Sequence, residues 1–222
     1  MRLEVKAIIF DMDGVITNTM PDHYLAWKII LKKEGINATY EDIYSREGQK
    51  GIDSVKEIFA HHHKIVDERT ALRILRDKEK YFKKIVKRRF IPGSRSFLKG
   101  LRKTKFCLAL VTGTARHEVH KILPDDLYNL FSVIITGSDV QNGKPHPEPF
   151  LKALKGLQLK ASDAIVIENA PFGIRSARKA GLRCLALATS LPHAYLKQAD
   201  CIFDSFKELK EKVRFHLKKD KV

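Results

Sequence analysis

Short apolar runs rich in β-branched residues, separated by stretches of helical periodicity, constrain this chain more than any other feature. They fall at residues 5–10, 106–111, 133–135, 164–167, 184–188 and 202–203. Strands that alternate with amphipathic helices predict a parallel sheet. The runs AIIF, LALV and IVI are apolar almost throughout, so both faces of the sheet must be covered. The expected fold class is α/β, a doubly wound, Rossmann-like sheet.

The alternation breaks between about 15 and 89, where only helical patterns occur: 24–31, 55–60 and a long run at 68–86. The reading is a core domain formed by 1–16 and 90–222, with an α-helical cap inserted at 17–89. A chain of 222 residues accommodates that and no third domain. Phe90-Ile91-Pro92-Gly93 ends the helix and turns the chain back, which makes 17–21 and 89–93 the hinges. The basic tail 218–221 is expected to fray.

A formal charge of +16 raises the question of an anionic partner. Many lysines stand beside acids, as in Lys207-Glu208-Leu209-Lys210-Glu211-Lys212, which reads as a solvated helix face, so nucleic acid is not the expected partner. No stretch approaches the ~20 apolar residues of a spanning helix. Cys107, Cys184 and Cys201 are odd in number and unpaired in pattern, which excludes a disulfide framework or zinc site and suggests three core hydrophobes in a cytoplasmic protein.

Chemistry concentrates where the predicted strands end. FDMDGV places Asp11 and Asp13 just past the first strand, at the sheet edge where open α/β folds bind ligands. Two carboxylates so close call for a cation, and a hard one such as Mg²⁺ takes oxygen ligands. Thr112-Gly113-Thr114 follows the second core strand and suits a phosphate cradle. Lys144 follows the third, flanked by Pro145, and Glu168-Asn169 end the fourth.

The ordered set FDMDGV, VTGT, GKPHPEPF and IENAPFGI resembles the four motifs of the haloacid dehalogenase superfamily, in its beta-phosphoglucomutase and phosphoglycolate phosphatase subfamily. The resemblance implies a phosphatase acting on a small phosphorylated metabolite. Asp11 would be the nucleophile that becomes an aspartyl phosphate, and Asp13 the acid and then base. Asp11, the Asp13 main-chain carbonyl, Glu168 and Asn169 would hold Mg²⁺, while Thr112 and Lys144 would hold phosphoryl oxygens with help from Gly113 and Thr114. His23 would face the cleft near Asp13, and Arg116 and Lys50 are further candidates for substrate phosphate.

Two departures stand out. Asn169 replaces a second acid, so weaker metal binding is expected. Gly51 falls where the mutases carry a phosphate-gripping arginine, with Lys50 adjacent, which shifts the reading from mutase toward phosphatase. A sugar-phosphate mutase is the alternative, and a non-catalytic anion or nucleic-acid binder a more remote one. His61-His62-His63 reads as a surface helix end, because consecutive helical side chains diverge and do not meet on one ion. A monomer is the expected assembly.

Overall fold

The computed structural model describes residues 1–219; the remainder of the tail predicted to fray lies outside them. In chain order the strands are β1 (Arg2–Val5), β2 (Ala7–Phe10), β3 (Cys107–Val111), β4 (Val133–Ile135), β5 (Ala164–Glu168), β6 (Arg183–Leu187), β7 (Cys201–Phe203) and β8 (Arg214–Leu217). Helices α1 (Met20–Lys33), α2 (Tyr40–Tyr44), α3 (Gly51–His61) and α4 (Glu68–Ile85) lie between β2 and β3, followed there by α5 (Ser94–Arg102). The others are α6 (Arg116–Ile122), α7 (Asp125–Tyr128), α8 (Glu148–Leu157), α9 (Pro171–Lys179) and α10 (Phe206–Lys212).

Six strands form one parallel sheet in the order β4-β3-β2-β5-β6-β7. Side chains alternate strictly between its faces. Ile8, Phe10, Leu108, Leu110, Ile165, Ile167, Leu185 and Leu187 enter one core with α5, α6, α7 and α10. Ala7, Ile9, Ala109, Val111, Ala164, Val166, Cys184 and Ala186 enter the other with α8 and α9. The small side chains of the second set let those helices approach closely. Chain order reverses at β2, flanked by β3 and β5, so the crevice for a ligand opens at the carboxyl end of β2.

The first predicted strand is two. β1 leaves the main sheet and pairs in parallel with β8, a strand absent from the sequence reading. Lys218 is also anchored rather than frayed, its N–H donating to Val5 O and its ammonium 2.6 Å from Asp163. Cys184 is buried, but Cys107 is exposed and Cys201 half-buried, so only one cysteine packs as expected.

Helices α1–α4 bury a core of their own, including Trp27, Ile30, Leu31, Ile58 and Ile74, joined by Leu191 from the sheet side. Thr39 and Asp42 cap α2 reciprocally, and Asp67 caps α4. The two crossings pair with each other: the Asn18 N–H donates to Arg89 O, and the Ile91 N–H donates to Ile16 O.

Candidate active site

β2 delivers Asp11 and Asp13 to the sheet edge, and the chain then turns sharply through Gly14 at φ +82. A Cβ there would stand 2.1 Å from Asn169 Nδ2 and 2.6 Å from Glu47 Oε1, so glycine is required by space as well as by conformation. The wall of the site comes from the ends of β3, β5 and the loop before α8.

Lys144 is the fixed cation of the site, 1% exposed. Its three ammonium protons go to Asp11 Oδ1 at 2.6 Å, Glu168 Oε1 at 2.7 Å and Val111 O at 3.1 Å. Burial works against its charge, but Asp11 and Glu168 outweigh it and raise the lysine pKa. Glu168 Oε2 accepts from the backbone N–H groups of Asn169 and Ala170, at 2.8 and 3.1 Å.

Asp13 faces the cavity and is saturated with donors. Its Oδ2 accepts from Thr114 Oγ1 at 2.8 Å and Thr112 Oγ1 at 3.4 Å, and its Oδ1 accepts from Thr19 and lies 3.5 Å from His23 Nε2. Burial raises its pKa, but His23 and these hydroxyls prevail and hold it at about 2. Asp11 differs. Burial pushes its carboxyl well above the usual range despite Lys144, with the charges of Glu168 and Asp13 adding to the rise.

His23 lies stacked on Phe82 at 4.0 Å between ring centres, with Lys78 Nζ 2.8 Å from its Nδ1. Because an ammonium can only donate, Nδ1 is the acceptor and Nε2–H points to Asp13. Burial and the Lys78 charge lower the histidine pKa. Lys78 escaped the sequence reading, since one more lysine in a helix as basic as α4 carries no distinguishing mark. Trp27 belongs to the insertion's core and also lines the cavity.

The cavity between insertion and sheet has a volume of about 460 Å³ and is bounded by Asp13, His23, Trp27, Lys78, Gly113 and Thr114 among others. The loop after α2 closes on the sheet edge: a Cβ on Gly113 would meet Gly48 O at 2.6 Å, and Gln49 bridges to Lys144. That close approach leaves Gly113 backbone contact with the insertion.

Two candidates for substrate phosphate are hydrogen-bonded within the protein, and of the two only Lys50 lines the cavity. The guanidinium of Arg116 donates to Ile134 O and to Asp139 at 2.6 Å, and it does not line the cavity. Lys50 Nζ donates to Gln141 O at 3.0 Å and to Val140 O at 3.5 Å, tying the insertion to the sheet domain. The basic run at the end of α4 packs beside α6, with Lys83 at His117 and Arg88 at Lys121 O, outside the main cavity. His61 and His62 do meet, contrary to expectation, on Asp42 at 2.6 and 3.1 Å, because His62 has left the regular helix as its C-cap.

A hard divalent cation fits the residues present. Asp11 Oδ2 and Asn169 Oδ1 are buried without a hydrogen-bond partner, while Lys144 has no proton left to give them. Buried oxygens in that state want a cation.

A doubly wound sheet with paired aspartates, a hydroxyl cradle, a buried lysine and an acid at four successive strand ends defines a phosphoryl-transfer class of fold and site. The haloacid dehalogenase-like hydrolase family matches over residues 8–187, and the chain belongs to it. It is 30% identical to a phosphorylated carbohydrates phosphatase of Thermotoga maritima, over 80% of this chain and 82% of that one. It is 27% identical to the validoxylamine A 7'-phosphate phosphatase of Streptomyces hygroscopicus subsp. limoneus, over 92% and 96%. The beta-phosphoglucomutase structure from Clostridium difficile superposes with a TM-score of 0.79 at 28% identity, covering 94% of this chain and 96% of that one. The chain is therefore an enzyme of the HAD-like hydrolase kind, with phosphatases and a mutase among its relatives. Among the described residues, no helix is long and apolar enough to cross a membrane.

Proposed function

We propose that the protein is a Mg²⁺-dependent phosphatase of a small phosphomonoester, of the sugar phosphate or phosphoglycolate type. The observation that carries this reading is the division of labour between the two aspartates. Asp11 keeps one oxygen on Lys144 and the other unpartnered, whereas every donor around Asp13 holds it in place at the cavity wall.

One carboxylate oxygen of Asp11 attacks phosphorus in line, and the P–O bond to the leaving alcohol breaks, which leaves an aspartyl phosphate. Asp13 gives a proton to the departing alkoxide and takes one from the water that hydrolyses the intermediate. At neutral pH Asp13 is ionised, so that first proton must reach it as substrate binds; His23 passes on its Nε2 proton, 3.5 Å away, as its Nδ1 takes one from Lys78 and leaves the lysine neutral. Thr112 orients the phosphoryl oxygens, and Lys144 joins it by turning the proton it gives Val111 O toward the substrate. Asp11, the Asp13 main-chain carbonyl, Glu168 and Asn169 would hold Mg²⁺, which when bound offsets repulsion between carboxylate and phosphate. The helical insertion, residues 17–89, acts as a cap that excludes water and selects the leaving group.

Phosphatase is favoured over mutase by the surroundings of Gly51. Position 51 carries no side chain, and the neighbouring Lys50 is bound to the main-chain carbonyls of Val140 and Gln141, so a bidentate grip on a second phosphate is missing at that point. The test is phosphate release from a panel of phosphomonoesters with and without Mg²⁺, wild type beside Asp11→Asn. Release that requires both the metal and Asp11 is expected. Isomerisation of a sugar phosphate dependent on a bisphosphate, without net release, would overturn the phosphatase in favour of the mutase.

A further inference from the structure

Glu47 is a buried acid against this site that the mechanism above leaves unused. It sits on the loop between α2 and α3, 4% exposed, and neither of its carboxylate oxygens has a hydrogen-bond partner. A buried, unpaired carboxylate is strongly unfavourable, so its place calls for a reason. The loop carrying it is not slack. Gly48 rests on Gly113, Gln49 bridges to Lys144, and Lys50 donates to Gln141 O, which pins the loop on both sides of the sheet edge.

Three side chains with unpartnered buried oxygens meet around the Gly14 turn, Asp11 through Oδ2, Asn169 through Oδ1 and Glu47 through both carboxylate oxygens. Glu47 Oε1 and Asn169 Nδ2 both come within 3 Å of the point where a Cβ on Gly14 would stand, one at 2.6 Å and the other at 2.1 Å. Asn169 Nδ2 donates one of its two protons to Ser190 Oγ at 2.9 Å. Lys144, the cation nearest the carboxylates, has spent its three protons on Asp11, Glu168 and Val111 O. Thus Asp11, Glu168 and Glu47 set three buried carboxyl groups against one ammonium.

We propose that Glu47 is a further carboxylate ligand of the divalent cation, delivered by the helical insertion and supplying the negative charge that Asn169 does not. The proposal rests on the metal site of the preceding section. Its consequence is that cation occupancy and closure of the insertion are linked: the ion holds the loop down, and the loop completes the ion's oxygen shell. Burial and the charge of Asp11 push the Glu47 carboxyl well above its usual range in the metal-free chain, the direction such crowding produces.

The experiment titrates the full chain with Mn²⁺ and reads free ion by its electron paramagnetic resonance signal, with no substrate present. Wild type is compared with Glu47→Gln, Glu168→Gln, Asn169→Asp and the double variant Glu47→Gln/Asn169→Asp. Glu47→Gln is expected to weaken Mn²⁺ binding by about 10-fold or more, and the double variant to recover most of that loss. Without metal, Glu47→Gln should melt no lower than wild type, since it removes a buried unpaired charge; a purely structural role for Glu47 would lower the melting temperature instead. Binding by Glu47→Gln equal to wild type, with binding lost in Glu168→Gln, would overturn the proposal and leave the phosphatase reading intact. Absence of Mn²⁺ binding by wild type would overturn both.

Discussion

Lys144 Nζ and Asp11 Oδ1 stand 2.6 Å apart in a pocket where each side chain is all but closed to solvent. The pair also defines what the lysine does for stability. Replacing Lys144 with methionine leaves Asp11 and Glu168 facing one another without the ammonium. A loss of about 3–5 kcal/mol is expected by urea denaturation, the scale for breaking a buried ion pair. Added Mg²⁺ should return part of that stability, because it supplies the missing positive charge. Turnover should fall by about 10²–10³-fold whatever the metal concentration, since the ion does not replace a donor to the phosphoryl oxygens.

Gly14→Ala tests how closely the insertion, the sheet edge and Ser190 converge. The new Cβ would collide with Asn169 Nδ2, Glu47 Oε1 and Ser190 Oγ, and the backbone stays at φ +82, where alanine is strained. A destabilisation of at least about 1–3 kcal/mol is expected from the strain alone. Mn²⁺ affinity should drop with it, as Asn169 is displaced. A variant with wild-type melting temperature and wild-type metal affinity would show that the crowding is relieved by a small shift.

His23 ties pH to stability through its burial beside Lys78. Its folded pKa is lowered, by burial and then by the Lys78 charge, so the folded chain refuses a proton that the unfolded chain accepts below about 6.5. The sign follows: His23 contributes no penalty above that value and costs stability as pH falls below it. His23→Asn should therefore lose less stability between pH 7 and pH 5 than wild type does, as read from thermal melts across that range. Asp13 acts lower down. Its pKa of about 2 lies below the unfolded carboxylate, so its contribution is present above about 4 and disappears as pH falls toward 2.

The sheet was legible because both of its faces are buried. Continuous apolar runs such as Ile8-Ile9-Phe10 leave few alternatives, and four acids or hydroxyls at strand ends locate the crevice. β1 and β8 were not legible: Arg2–Val5 and Arg214–Leu217 are short, half-exposed and pair only with each other, across nearly the whole length of the chain. The same contrast holds in the site. Asp11, Asp13 and Glu168 sit at topologically defined ends of strands and Lys144 on the loop that follows β4, whereas Lys78 and Glu47 reach the site only through the tertiary docking of the insertion. Arg116 shows the converse: a cation one turn from the cradle, drawn away by Asp139, which no local pattern announces.

Lys78 provides the last prediction. Its ammonium is buried, donates to His23 Nδ1 at 2.8 Å, and lies 5.2 Å over the Trp27 ring and 4.8 Å over Phe82. Burial lowers its pKa, while Glu118, Glu79 and Asp13 oppose that. Lys78→Met keeps the apolar stem against the two rings and removes the proton and charge. Two effects should follow from the loss. His23, relieved of a neighbouring positive charge, should titrate at higher pH, measurable from its imidazole resonances. Hydrolysis of esters with poor alkoxide leaving groups should slow by about 10²-fold, while esters with acidic phenol leaving groups, which need no proton, should be hydrolysed nearly as before. An equal loss for both kinds of ester would assign Lys78 to shaping the cavity instead of supplying Asp13 through His23.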